Sequence, residues 1–238
     1  MKLTETMATV ARASDKERSA PGEHPGAPVL DLEQAAWLGR GWKRDCLVHP
    51  EDPNLCIKVP AADPHESSSW RDRLTVWRHG EKSGEHHNRR EWQAYETHGE
   101  ILAPFIPRYH GLIETSRGTA LVIDTVRNRD GSPAVQLTEW LKTGTPERGR
   151  ALLARFEALF DVLLRHDIWL MDLNLRNFLI ETCADGSERP LLVDLKRLAD
   201  NKEILQLSGW SVALKRRKLK RRIATFKEKF RTRLGKSS

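Results

Sequence analysis

The chain has 238 residues, 39% of them apolar and 31% charged, with a net charge of +7. This is the composition of a globular protein built as one large domain or two small lobes around a cleft, and it excludes a chain disordered throughout. No run approaches the roughly 18–20 apolar residues of a membrane-spanning helix. Cys46, Cys56 and Cys183 have no paired spacing, which argues against a disulfide framework and a zinc site and fits a reducing compartment.

Residues 1–28 are rich in Ala, Ser, Pro, Gly and charge and are expected to be a disordered leader, with Met7 a second candidate for the first residue. They lack the apolar core of a signal peptide, so a cytoplasmic location is expected, with the inner-membrane surface as a peripheral site. AAWLGRGWKRDCLVHPEDPNLCIKVP then reads as strand, Gly turn, strand, Pro-containing turn and strand. Residues 61–83 are polar and irregular. HHNRREWQAYETH predicts a helix with Trp92, Tyr95 and Ile101 on one face. RYHGLIET and ALVIDTV form a second hairpin around Ser116–Thr119. QLTEWL opens a short helix, and ERGRALLARFEALFDVLLRHDI a long one whose Leu152, Phe156, Leu159, Phe160, Leu163 and Leu164 recur at three and four. WLMDLNLRNFLIE and RPLLVDLKRL flank the turn CADGSE as two short strands, and the remainder is helical and basic. The fold class is α+β, with strands and one helix first and helices with a small hairpin second.

The sharpest chemistry lies in MDLNLRNFLI. Asp172 and Asn177 stand five apart on a loop entering a strand, and Asp194 follows the next apolar strand. A hard cation such as Mg²⁺ takes oxygen ligands, few of them from protein when phosphates supply the rest. Asn177 and Asp194 are the candidate metal ligands. Asp172 is the candidate catalytic group, able to orient an attacking hydroxyl or take its proton. Gly39 and Gly41 form a GxG turn that lets backbone N–H groups approach phosphate. Lys58, between apolar strand residues, needs an anionic partner. Glu91 is the choice for it, with Glu85 and Glu96 as rivals.

Aspartate, asparagine and second aspartate in this order resemble the catalytic loop and metal-binding aspartate of the protein-kinase superfamily. The resemblance implies a bilobal kinase-like fold: a β-rich N-lobe with hinge over 29–126, a reduced helical C-lobe over 127–214, and a basic helical tail over 215–238. It implies ATP and Mg²⁺ as cofactors, Lys58 on the α- and β-phosphates, and a hinge in IDTV whose Asp124 and Val126 meet the adenine edge, with Ile123 behind. Departures are equally plain. Leu170-Met171-Asp172 replaces His-Arg-Asp, Asp194-Leu195-Lys196 replaces Asp-Phe-Gly, and fewer than about 45 residues follow Asp194, which disfavours a peptide acceptor. His166 reads as a helix-end residue.

LGRGWKRDCLVHPEDPNLCIKV, RREWQAYE, PFIPRYHGLIET, GTALVIDTVRNRDGSPAVQLTEWL and IWLMDLNLRNFLI are similar to the YrbL family of PhoP-regulatory-network proteins, small bacterial kinase-like proteins related to lipopolysaccharide core kinases. The implied activity is an ATP-dependent phosphotransfer to a small or lipid-linked, envelope-derived hydroxyl. A non-catalytic kinase-like regulator is the second reading, and an adaptor acting through the tail the third. In that tail, Leu219, Ile223, Phe226 and Phe230 form one stripe on a cationic helix. It is expected to pack on the helical lobe; the alternatives are an anionic membrane surface met through Lys215–Lys236 and, least favoured, nucleic acid. The tryptophans are expected in the core or as cleft walls.

Overall fold

The computed structural model describes residues 29–41, 43–61, 83–170, 172–195, 198 and 210–235. The expected leader, nearly all of the irregular 61–83 stretch, Met171 and Lys196 lie outside the described residues.

Alternating side chains and two turn signals produce the first sheet. It holds β1 (Trp37–Arg40), β2 (Arg44–Val48), β3 (Leu55–Pro60), β4 (Tyr109–Thr115) and β5 (Gly118–Asp124) in the order β1-β2-β3-β5-β4, with neighbours antiparallel. Because side chains alternate along a strand, β3 sends Ile57 and Val59 to one face and Cys56 and Lys58 to the other. Ile57 and Val59 are fully buried with Leu32, Leu47 and Ala120 in a small outer core. The segment around Leu30 covers that core, tied on by Leu30 N–H to the Glu114 carbonyl (3.1 Å) and Ser116 N–H to the Leu30 carbonyl (2.9 Å).

Helix α1 (Ser83–Leu102) crosses the opposite face, against β3, β4 and β5. Asn88, Glu91, Ala94 and Leu102 line its buried side at helical spacing. Asn88 Nδ2 donates to the carbonyls of Lys58 and Thr119, both at 2.9 Å, so one amide pins the helix to two strands. Trp92 and Tyr95 are half-buried on this helix, with rings stacked 5.5 Å apart. Ile101, expected beside them, is 37% exposed; the buried residue is Leu102, one position on, because the stripe runs through 88, 91, 95 and 102.

The second sheet has three strands, β6 (Val135–Gln136), β7 (Phe178–Thr182) and β8 (Glu188–Leu192), antiparallel in that order. Two residues are too short to show a strand period, so β6 was not legible in the sequence. Neither flanking stretch is strand throughout: the chain from 173 to 177 is irregular, ending in a 3-10 turn at Leu175–Asn177, and β8 stops two residues short of Asp194.

Three helices stand behind this sheet: α2 (Leu137–Thr143), α3 (Pro146–Arg165) and α4 (Trp210–Leu234). Thr145 caps α3 by accepting from Arg148 N–H at 3.4 Å, with Pro146 at the first helical position. His166 caps its far end. Leu152, Phe156, Leu159, Phe160 and Leu163 are buried from α3, while Leu164 is half-buried. From α4 come Leu219, Ile223, Phe226 and Phe230, each at most 6% exposed. Phe226 lies 5.0, 5.5 and 5.6 Å from the rings of Phe156, Phe160 and Phe178. Gly149 admits Leu234 so closely that any Cβ there would collide with it. The stripe therefore belongs to the core, and the cations occupy the outer face of α4. Burying each such side chain stabilises by about 1.5–3 kcal/mol.

Among the tryptophans, Trp140 and Trp169 are buried as expected, whereas Trp37 is 47% exposed on β1, with Arg40 and Arg117 over its ring. The fold is mixed α+β, with a β-rich region and four helices among the described residues. None of those helices is long and apolar enough to cross a membrane.

Candidate functional site

A cavity of about 760 Å³ opens between the first sheet and the β7–β8 hairpin. That is the size of a site for a cofactor or small molecule. Gly39, Gly41, Lys58, Asp124, Val126, Asn177 and Asp194 line it, contributed by five separate parts of the chain. Glu91 stands behind the wall on α1. Asp172 is not on the wall; it is one hydrogen bond away, its backbone carbonyl accepting from Asn177 Nδ2 at 3.1 Å.

The two glycines differ. A Cβ on Gly41 would run into the Arg44 carbonyl, so the tight approach of β1 to β2 requires glycine there. A Cβ on Gly39 would meet nothing within 4 Å, so it faces open space and no packing demands it.

Lys58 lies on the α1 face of β3 and is 4% exposed. Its Nζ donates to Glu91 Oε1 at 2.7 Å and to the Val193 carbonyl at 2.5 Å. Glu91 Oε1 also accepts from Tyr109 Oη at 2.7 Å. Of the rival acids, Glu96 is exposed and Glu85 half-buried. Glu91 Oε2 lies 2.6 Å from Arg44 Nη1, an ion pair without hydrogen-bond alignment. Burial by itself would raise the Glu91 carboxyl, but Arg44 and Lys58 outweigh it and hold the group well below the usual carboxylate range. Burial likewise favours a neutral Arg44, and Glu91 and Asp194 overcome it to hold the guanidinium above its ordinary value. Burial and then Glu91 push the Tyr109 phenol up.

The β7–β8 hairpin sets the other wall. Phe178 pairs with Leu192, and Val193 N–H donates to the Asn177 carbonyl at 2.9 Å, which brings Asn177 and Asp194 side by side. The side chain of Asn174 caps the 3-10 turn before Asn177. Asn177 and Asp194 present two oxygen-bearing side chains, and among the described residues no cluster of three His, Cys, Asp or Glu could hold a metal. A cation held here would complete its shell with phosphate oxygens and water, a pattern that suits Mg²⁺. The wall also carries Arg40, Lys43, Arg44, Lys58 and Arg176 against Asp124 and Asp194, an excess of positive charge that suits a polyanion. At the end of β5, His110 Nε2 and Asp124 Oδ1 are 2.7 Å apart, while Thr125 N–H donates to the Asn54 carbonyl and Ala134 N–H to the Val126 carbonyl. These bonds fix the strand where it leaves the sheet.

Sequence reading passed over Arg44 and the Cys46–Cys56 pair. The signal was alternation: if Lys58 faces the cavity, so do its cross-strand partner Cys46 and, two residues away, Arg44 and Cys56. The hydrogen bond from Cys56, helped by Lys58 and Arg44, pulls the Cys46 thiol down to about 6 against its burial, and the same contact and burial push Cys56 up.

The sequence profile of the PhoP regulatory network protein YrbL family matches residues 30–231. The YrbL proteins of Escherichia coli (strain K12) and Shigella flexneri are each 30% identical to this chain over 186 residues, covering 77% of it and 79% of their own length. On this profile match and these relatives, the chain belongs to the YrbL family of PhoP regulatory network proteins.

Proposed function

We propose that this YrbL-family chain is a protein-kinase-like phosphotransferase that uses ATP and Mg²⁺ and acts on a small or lipid-linked, envelope-derived hydroxyl. The observation carrying the reading is that a buried lysine paired with a helix glutamate, Lys58–Glu91 at 2.7 Å, shares one cavity with the adjacent Asn177 and Asp194. A lysine so held is a fixed cation for phosphate oxygens, and its neighbours are a minimal donor set for a divalent ion.

In this mechanism the turn around Gly39 and Gly41 covers the phosphates, Lys58 holds them, and the β5 end from Asp124 to Val126 meets the base. Asn177 and Asp194 would hold Mg²⁺, which when bound neutralises charge on the phosphates. Asp172 orients the acceptor hydroxyl and takes its proton as the acceptor oxygen bonds to the γ-phosphorus. The bond from that phosphorus to the β–γ bridging oxygen breaks, and ADP leaves with the electron pair. Catalysis here is positioning and electrostatics.

Asp172→Ala should abolish phosphoryl transfer to a hydroxyl acceptor, or intrinsic ATP turnover to water, while leaving nucleotide affinity within about twofold, since Asp172 lies off the cavity wall. Turnover at the wild-type rate in that variant refutes the assignment. The second reading, a non-catalytic regulator, draws on that same displacement of Asp172. Thermal shift with ATP, with and without Mg²⁺, separates the two: Mg²⁺-dependent stabilisation favours the enzyme, and no shift at millimolar ATP favours a scaffold for another partner.

A further inference from the structure

Arg44 joins the buried Glu91 behind the cavity wall to Asp194 on it, and its contacts are unequal. Nη1 lies 2.6 Å from Glu91 Oε2 and 3.0 Å from Asn88 Oδ1. Both partners have zero exposure and sit on a helix pinned to the sheet. Nη2 lies 3.6 Å from Asp194 Oδ1, within ion-pair range but too long for a hydrogen bond. The Asp194 side chain is 18% exposed and sits just past the end of a hairpin. A guanidinium has five N–H donors in a rigid plane, so it can keep two partners while exchanging a third.

Charge favours the exchange. Arg44 and Lys58 set two positive charges against the carboxylates of Glu91 and Asp194. A divalent ion on Asp194 would take away the counter-charge that Nη2 faces. A phosphate in the same cavity would supply another, because Arg44 lines its wall.

We infer that Arg44 is an exchangeable counter-ion: held by Glu91 and Asn88, its guanidinium pairs with Asp194 when the cavity is empty and with a nucleotide phosphate when Asp194 turns to a divalent cation. The inference rests on the nucleotide reading above. It makes Arg44 a competitor of the metal in the empty protein and a partner of the phosphates in the loaded one. Metal without nucleotide then binds poorly, and nucleotide and metal each favour the other.

The test uses the full chain as wild type, Arg44→Lys, Asp194→Asn and the double variant. Lysine keeps a positive charge beside Glu91, but one ammonium cannot span Asn88, Glu91 and Asp194 together. Mn²⁺ binding without nucleotide is followed by electron paramagnetic resonance. Binding of a non-hydrolysable ATP analogue is followed calorimetrically in EDTA and in Mg²⁺. Arg44→Lys should tighten Mn²⁺ about fivefold and weaken the analogue in Mg²⁺ about tenfold. Asp194→Asn should tighten the analogue in EDTA, and that gain should shrink in the double variant. Wild-type Mn²⁺ affinity in Arg44→Lys, or an equal gain in both backgrounds, overturns the inference while leaving the nucleotide reading intact. A wild-type protein that binds neither Mn²⁺ nor analogue overturns both. Should Arg44→Lys fail to fold, the ¹⁵N guanidinium resonance of Arg44 in the wild type serves. It should move on adding Mg²⁺ with analogue, and an unmoved resonance overturns the exchange.

Discussion

On the cavity side of the five-stranded sheet the buried residues include Arg44, Lys58, Asn88 and Glu91, whereas behind the three-stranded sheet they include Phe156, Phe160, Phe178, Phe226 and Phe230. The buried polar and charged residues found among the described ones all fall between 44 and 119. Both regions exclude water, but for different ends. Apolar residues of equal volume are expected to hold the first region together about as well as the charges do, because desolvation offsets most of an ion pair's attraction. Its charges are therefore better explained by what they present to the cavity. The aromatic cluster contains no polar group to present, and its work is to hold the β7–β8 hairpin, which carries Asn177 and Asp194, against α3 and α4.

Removing one ring tests the aromatic side first. Phe226→Ala should cost about 3–5 kcal/mol in urea unfolding, because the ring touches Phe156, Phe160 and Phe178 and leaves a cavity none of them can fill. A loss below about 1 kcal/mol would make α4 an appendage and end the comparison.

On the charged side, Glu91→Gln should cost about 3 kcal/mol, since it strands Arg44 and Lys58 without their buried counter-charge. Replacing all three together by Met, Met and Leu should restore most of that stability and eliminate nucleotide binding. Equal loss in the single and triple variants would show that the charges hold the fold. The pH dependence follows from the depressed Glu91 carboxyl. Its contribution is complete above the unfolded value of about 4.3 and is lost progressively as pH falls below it. Acid unfolding of Glu91→Gln should lack that component.

A smaller effect concerns Cys46. Its alkylation rate by iodoacetamide should rise with pH through a midpoint of about 6, and Cys56→Ala should move the midpoint upward by removing the hydrogen bond that lowers it. An ATP analogue should slow the reaction, because both cysteines line the cavity. A midpoint in the ordinary thiol range would count against the close pairing of the two. Smallest of all, Lys227→Ala should change stability by under about 1 kcal/mol, although Lys227 Nζ and Glu157 Oε2 are 2.6 Å apart, for the pair lies partly in water.

Periodicity was a dependable guide where an element was long. Phe156 and Phe160, or Leu219 and Phe226, declare their faces at spacings of three and four. It failed for β6, which has two residues, and at Ile101, where two adjacent apolar residues at a helix end compete for the same face and only the docking of α1 chooses Leu102. Trp37 misled because an aromatic residue reads as core wherever it stands, and β1 is an edge strand with arginines to cover an exposed ring.

The candidate site was legible in its members and not in its wiring. Asp172, Asn177, Asp194 and Lys58 stand out because charged or amide side chains interrupt apolar runs of sequence, although only Lys58 lies within a strand. Local pattern also determined the strands, the helices and the apolar stripe of α4, since φ/ψ preference and alternation act over a few residues. Tertiary structure alone decided that Glu91 serves both Lys58 and Arg44, that Arg44 reaches Asp194, and that Phe226 and Phe230 close the core behind Phe178. These contacts join segments tens to more than a hundred residues apart. Which of several acids or rings meets which partner is set by how whole elements dock, and no short-range pattern encodes that docking.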